Sequence, residues 1–260
     1  MLNALNTAAT GMTAQSKQVE VISNNIANAD TVSFKKSRAE FQDLLYQNIK
    51  DPGAATSATT HNPTGIQVGV GVKLAAVSRE HTQGSLRPTG RQLDMAIQGD
   101  GFFTVQHLNG EIAFTREGGF TTDGEGRLVT SQGFTLVPEI VLPQGTNSVM
   151  VSPDGRVRVG VGNQPPQEVG QIQVTNFVNP SGLRPIGGNL YAPSEGSGEP
   201  VPGNPGDVGF GTLGQAFLES SNVQPVSEMT DMVRAQRVYE MNSKVISTSD
   251  QMLATINQLK

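Results

Sequence analysis

Residues 226–260 read VSEMTDMVRAQRVYEMNSKVISTSDQMLATINQLK, thirty-five positions without a glycine or a proline. A run that long with neither helix breaker reads as one long helix. One heptad frame places Met232, Tyr239, Ile246 and Leu253 at one seam position and Ala235, Asn242, Ser249 and Ile256 at the other, flanked by Val238, Val245, Met252 and Leu259. That face is apolar enough to need a cover. Asn242 and Ser249 inside the seam weaken a simple two-stranded coil, yet polar seam residues can fix register.

Working outward from this helix, the opposite end of the chain carries a matching stripe. Leu2, Leu5, Ala9, Met12, Val19, Ile22 and Ile26 recur at helical spacing, with Ala, Ser and Thr filling several positions between them. A polar break at Asn28-Ala29-Asp30-Thr31 follows, then a second ordered segment carrying Phe34, Phe41, Leu44, Leu45 and Ile49, which Asp51-Pro52-Gly53 ends. A long helix can fold back on the core of its own domain. Here both stripes lie at the chain ends, so the simplest cover for each is the other one, or a copy of it from another molecule. The candidate self-assembly seam is therefore Leu5, Met12, Val19, Ile22 and Ile26 with Met232, Tyr239, Ile246, Leu253 and Ile256.

The chain holds 30 glycines and 15 prolines, and all but Gly11 and Pro225 lie between Pro52 and Gly214. The ends permit helix and the middle opposes it. Residues 52–88 are rich in Ala, Thr, Ser and Gly and include Gly65-Ile66-Gln67-Val68-Gly69-Val70-Gly71-Val72, which alternates as an extended chain does. From Leu93 come eight short β-type runs: 95–97, 102–105, 112–115, 128–130, 134–137, 148–151, 157–159 and 172–174. Gly99-Asp100-Gly101, Asn109-Gly110, Asp123-Gly124 and Asp154-Gly155 punctuate them with the positive φ angles that tight hairpins need. Residues 160–214 carry few charges and many turn formers, which reads as loop or linker. The expected fold is α+β: terminal helices pairing in a coiled-coil-like inner domain and a mainly antiparallel all-β middle. The expected divisions are 1–51 (helix and turn), 52–92 (extended connection), 93–193 (β-rich outer domain), 194–214 (return linker) and 215–260 (C-terminal helix).

Composition removes several classes of chemistry. With no cysteine there is no disulfide framework, thiolate zinc site or cysteine nucleophile. A net charge of −5 lacks the basic footprint of a nucleic-acid binder. The first ten residues contain neither Lys nor Arg and no sustained apolar run, so no cleavable secretory signal is expected, and no stretch approaches the length of a membrane span. Gly209-Phe210-Gly211-Thr212-Leu213-Gly214 matches the dinucleotide fingerprint as a string and is expected to precede a helix, but no βαβ unit surrounds it. His61, His81 and His107 form no metal-ligand spacing, and Asp100, Asp123 and Asp154 adjoin turn glycines. No catalytic, cofactor or metal site is expected.

Ala27-Asn28-Ala29-Asp30-Thr31-Val32-Ser33-Phe34-Lys35 resembles the N-terminal signature A-N-x-x-T-x-G-F-K of the axial proteins of the bacterial flagellum, departing only at Ser33, where that family usually has glycine. The blocks 37–47, 98–103, 114–118, 126–130, 218–223 and 236–244 are also similar to the family, so the resemblance runs nearly end to end. Length and the 41–47 block resemble the distal rod members most; proximal rod and hook members are the nearest alternatives. A secreted adhesin-like module and a nucleotide-binding enzyme are more distant ones. The resemblance implies a non-enzymatic subunit of a helical tube that transmits torque from motor to hook and encloses the export channel. It implies a place in the rod crossing the periplasm, and export without a cleaved signal. It also implies as partners further copies of the chain, proximal rod subunits, hook protein, the P-ring and L-ring proteins and the flagellar type III export apparatus, with no cofactor, nucleic acid or membrane insertion. Asn28, Thr31, Phe34 and Lys35 are the motif residues it marks as a turn joining helix to extended chain.

Overall fold

The computed structural model describes residues 2–51, 64–107, 110–162 and 165–258. His61, Asn109 and Leu259 lie outside the described residues. The chain divides into two compact units, one of Met1–Ala27, Ser37–Arg79 and Gln224–Lys260, the other of Asn28–Lys36 and Glu80–Val223.

In the first unit, α1 (Leu2–Ala27) and α2 (Pro225–Gln258) pack along each other. Pro225 opens α2, where a missing N–H leaves no helical bond unmade and the fixed φ suits the first turn. With 34 residues, α2 is about 50 Å long. Strand β1 (Ser37–Asp43) pairs antiparallel with β4 (Val72–Arg79), and β2 (Tyr46–Lys50) with β3 (Ile66–Gly69). Both ladders are largely exposed, with Leu45 90% accessible. Among the described residues no helix is long and apolar enough to cross a membrane.

The second unit is built from strands β5 (Leu86–Pro88), β6 (Met95–Gln98), β7 (Phe102–Gln106), β8 (Ile112–Thr115), β9 (Phe120–Thr122), β10 (Leu128–Thr130), β11 (Thr135–Val137), β12 (Thr146–Val151), β13 (Arg156–Val161), β14 (Gln167–Gln171), β15 (Val174–Asn176), β16 (Arg184–Gly187), β17 (Leu190–Ala192), β18 (Val201–Gly203), β19 (Thr212–Gln215) and β20 (Phe217–Glu219). Nine form one antiparallel sheet ordered β16-β17-β8-β7-β11-β10-β9, with β15 joining β7 to β18. Strands β12, β13 and β14 make a meander, and β19 with β6 and β20 with β5 make two-stranded ladders. Successive side chains of a strand face opposite ways, and by that rule the neighbours Phe102 and Phe103 of β7 enter different cores. Phe103 packs among Phe120, Leu128, Leu136, Val157 and Ile172, while Phe102 packs with Phe114, Phe177 and Tyr191.

Two sequence expectations change here. The run 172–174 is broken, because Ile172 turns its N–H to Gly155 O (2.8 Å) and buries its side chain between β14 and β15. The stretch 160–214, read as loop or linker, contains β14 to β18 and most of β19; in its 194–214 part glycines at positive φ (Gly198, Gly206, Gly209) supply the turns, and Pro202 is tolerated because β18 is an edge strand. The string 209–214 accordingly enters a strand paired with β6, not a helix, and a Cβ on Gly211 would lie 2.6 Å from Gln98 O.

Gly118 admits no larger residue: a Cβ there would sit 1.5 Å from Met95 O, whose own N–H binds Gly118 O at 2.9 Å. Gly118→Ala is expected to destabilise the second unit by about 3 kcal/mol, and thermal unfolding followed by circular dichroism checks this.

Candidate functional site: the motif turn and the paired helices

Where α1 ends, Thr31 donates its N–H to Asn28 O (3.2 Å) and its hydroxyl to Asn28 Oδ1 (3.2 Å), and Phe34 N–H reaches Thr31 O (3.3 Å). This is the side-chain-assisted turn that Asn and Thr favour. Phe34 and Lys35 are buried, Lys35 completely. Ser33 adopts φ 57°, the left-handed conformation that a glycine would reach without strain. Three bonds hold the turn there: Ser33 N–H to Glu219 O (2.8 Å), Ser33 Oγ to Arg116 O (2.7 Å), and Asn189 Nδ2 to Val32 O (3.0 Å).

Lys35 Nζ donates to Glu219 Oε1 (2.5 Å) and to Thr82 O (2.7 Å). The same Glu219 oxygen accepts Gly84 N–H (2.8 Å), while its other oxygen lies 3.5 Å from Arg116 Nη1. Arg116 also donates to Gly99 O (2.8 Å), and its guanidinium sits 5.4 Å from the centroid of the Phe102 ring. All three ionic side chains are at most 3% accessible. Burial pushes the Lys35 ammonium below the ordinary lysine value; Glu219 pulls it back up and Arg116 adds to the lowering. Asn222 closes the turn from the other side, accepting Lys36 N–H (2.8 Å) and donating to Glu80 O (2.8 Å). Arg116, Glu219 and Asn222 were not singled out from the sequence, although each stands in one of the quoted family blocks. Nothing local marks a pairing across 184 positions.

On α2 the helix pair buries the small and polar seam position of the heptad frame more deeply than the apolar one. On α1 the buried residues are Ala8, Ala14, Ile22 and Asn25; on α2 they are Ala235 and Ser249. Gly11 meets Asn242 so closely that a Cβ would lie 2.9 Å from its Nδ2. Of the candidate seam residues, Ile22 is buried and Leu5, Met12, Val19, Ile26, Met232, Ile246 and Leu253 are half-buried. Tyr239 and Ile256 remain 45% and 48% accessible. Val19 and Tyr239 line an open groove between the helices with Ser16, Ser23 and Gln236. Asn25 ties this unit together: it exchanges two hydrogen bonds with the Ser37 backbone (2.8 and 2.9 Å) and donates to Glu228 Oε2 (3.1 Å). Outside the seam, α2 carries Val226, Met229, Val233, Met241, Val245, Met252 and Ile256 at 46–78% accessibility.

Among the described residues no catalytic or ligand-holding arrangement emerges. Among the described residues no three His, Asp or Glu side chains converge on a metal position. His81 packs edge-on to Phe102 and Tyr191, and His107 stacks on Phe134. Asp123 accepts the N–H groups of Glu125 and Arg127, and Asp154 that of Arg156, as turn residues do.

Three family profiles match the chain: "Flagella basal body rod protein" over 5–35, "Flagellar hook protein FlgE/F/G D1 domain" over 96–159 and "Flagellar basal body rod FlgEFG protein C-terminal" over 215–259. The flagellar basal-body rod protein FlgG of Caulobacter vibrioides is 50% identical, with both chains covered completely. Its namesakes from Borreliella burgdorferi (46% identical) and Bacillus subtilis (40%) are also matched over all of this chain and at least 99% of theirs. Each matched segment contributes one charge to the buried cluster: Lys35, Arg116 and Glu219.

Ser33→Ala is expected to cost more stability than Ser33→Gly, by about 1 kcal/mol, because both lose the bond to Arg116 O and only glycine relieves the positive φ. Denaturant unfolding of the two variants checks the order, which reverses the usual ranking of alanine and glycine. Asn25→Asp should destabilise the first unit by about 2 kcal/mol, since a carboxylate replaces the donor facing Glu228 and Ser37 O. Glu228→Gln in the same chain should recover part of that loss.

Proposed function

The chain belongs to the flagellar basal-body rod protein family, and from that membership we propose that it is a structural subunit of the distal rod, polymerising into the tubular shaft that carries torque from motor to hook and encloses the export channel. The observation that carries this reading is the division of labour in the helix pair. Small and polar residues (Ala8, Gly11, Ala14, Ala235, Ser249) join α1 to α2 within one chain, while the larger apolar residues of α2 face outward. An exposed stripe of that kind is an interface in waiting. A repeated, non-closing contact through it generates an open helical polymer. End-to-end similarity to rod proteins, not to the shared hook and rod segments alone, favours a rod subunit over a hook one.

In this reading the neighbours are further copies of the chain, proximal rod subunits below, hook protein above, and the P-ring and L-ring proteins around the shaft, with the flagellar type III export apparatus delivering the subunit. The half-buried seam residues Leu5, Met12, Val19, Ile26, Met232, Ile246 and Leu253, with Ile22 buried among them, hold the pair together. Ile256 belongs with the outer stripe, whereas Tyr239 lines the groove between the helices.

Val245→Lys should leave a folded, helical monomer by circular dichroism yet abolish rod growth and swimming, because a charge would enter the interface between copies. Ile246→Glu should instead loosen the α1–α2 pair in the monomer itself, with the same loss of motility. Normal swimming by either variant contradicts the assignment of that face, and absence of the chain from purified hook–basal bodies contradicts the rod reading as a whole.

A further inference from the structure

Four of the eight methionines of this cysteine-free chain lie on α2. Met241 and Met252 are 59% and 46% accessible and share the outward stripe with Val245 and Ile256. The spacing 241, 245, 252, 256 keeps the four within roughly 60° around the helix axis. We propose that Met241 and Met252 are an oxidation site that controls polymerisation: sulfoxide formation at these two side chains switches off packing between copies. This rests on the reading that the stripe is the contact between copies.

The chemistry needs a two-electron oxidant of the peroxide class. Each thioether sulfur takes one oxygen atom from hydrogen peroxide; the O–O bond breaks, an S–O bond forms, the sulfur is oxidised by two electrons, and the peroxide leaves as water. The product replaces a flexible apolar group with a strongly dipolar acceptor. Buried between two apolar helix faces without a donor, that oxygen loses its hydration uncompensated. Exposure makes the reaction selective for the unassembled chain, because packing on the stripe would cover both sulfurs. Sulfoxide reductases reverse the step, so the block is not permanent.

The molecule supplies its own controls. Met150, on β12 of the other unit, is 59% accessible, and Met95 is 1% accessible. The test treats the purified full-length chain with hydrogen peroxide, maps sulfoxides by peptide mass spectrometry, and measures polymer by sedimentation and electron microscopy. Met241, Met252 and Met150 should oxidise about tenfold faster than Met95, and polymer yield should fall about tenfold. M241L/M252L, with Met150 and the equally exposed Met229 (59% accessible, outside the 241–256 sector) still oxidised, should polymerise as well after peroxide as before it, and methionine sulfoxide reductase should restore the wild-type chain. Full polymer yield from a chain carrying both sulfoxides overturns the proposal and leaves the stripe reading intact, as does equal loss in M241L/M252L. Polymerisation of Val245→Lys removes the stripe reading, and this inference with it.

Discussion

The buried contact of Lys35 with Glu219, shared by Arg116, is the constraint on which the β unit depends. Two cations and one anion are held out of water, so the cluster is not a source of stability in itself; well-packed apolar residues of like volume could do as well. What it imposes is completeness. Removing the anion alone would strand two like charges in a low-dielectric interior, at about 3–5 kcal/mol. Positions 35, 82, 84, 99, 116 and 219 must therefore arrive together, and a short strand pair, β5 with β20, is fixed in register around them. The motif turn is folded onto this point by both the backbone and the side chain of Glu219.

The helical unit follows the opposite logic. Its internal seam is narrow and partly polar, with Asn25 and the Gly11–Asn242 approach setting the register of the two helices. Such a seam gives alignment at little gain in apolar burial. The apolar area the pair does not use internally remains on the outside of α2. Both properties suit the rod subunit proposed above: a β unit specified within one chain, and helices with apolar area left for neighbours to cover.

The partition into helical ends and a β middle was legible because Gly and Pro act locally, and their confinement to 52–214 forbids long helices there whatever the tertiary context. The hairpin turns at Asp123 and Asp154 were legible for the same reason. Two things were not. The heptad frame set Ala235 and Ser249 in the seam, where the chain buries them, but the candidate list drawn from it by apolarity passed over both and took Tyr239 and Ile256, which stay half exposed. A helix apolar on more than one face does not say in its sequence which face meets its own chain. Nor does any periodicity bring Lys35 to Glu219: that contact is tertiary, and only the similarity of both segments to one family hinted that they matter together. Ser33 shows the converse, a residue that departs from the resembled signature and is held at φ 57° by hydrogen bonds on either side.

The most direct test of the cluster's role is a comparison of Glu219→Leu with Lys35→Met/Glu219→Leu by equilibrium unfolding. Because the single variant buries two uncompensated cations and the double variant only one, the second substitution should raise stability, by about 2 kcal/mol. A double variant less stable than Glu219→Leu, with the two losses simply adding, would contradict the account.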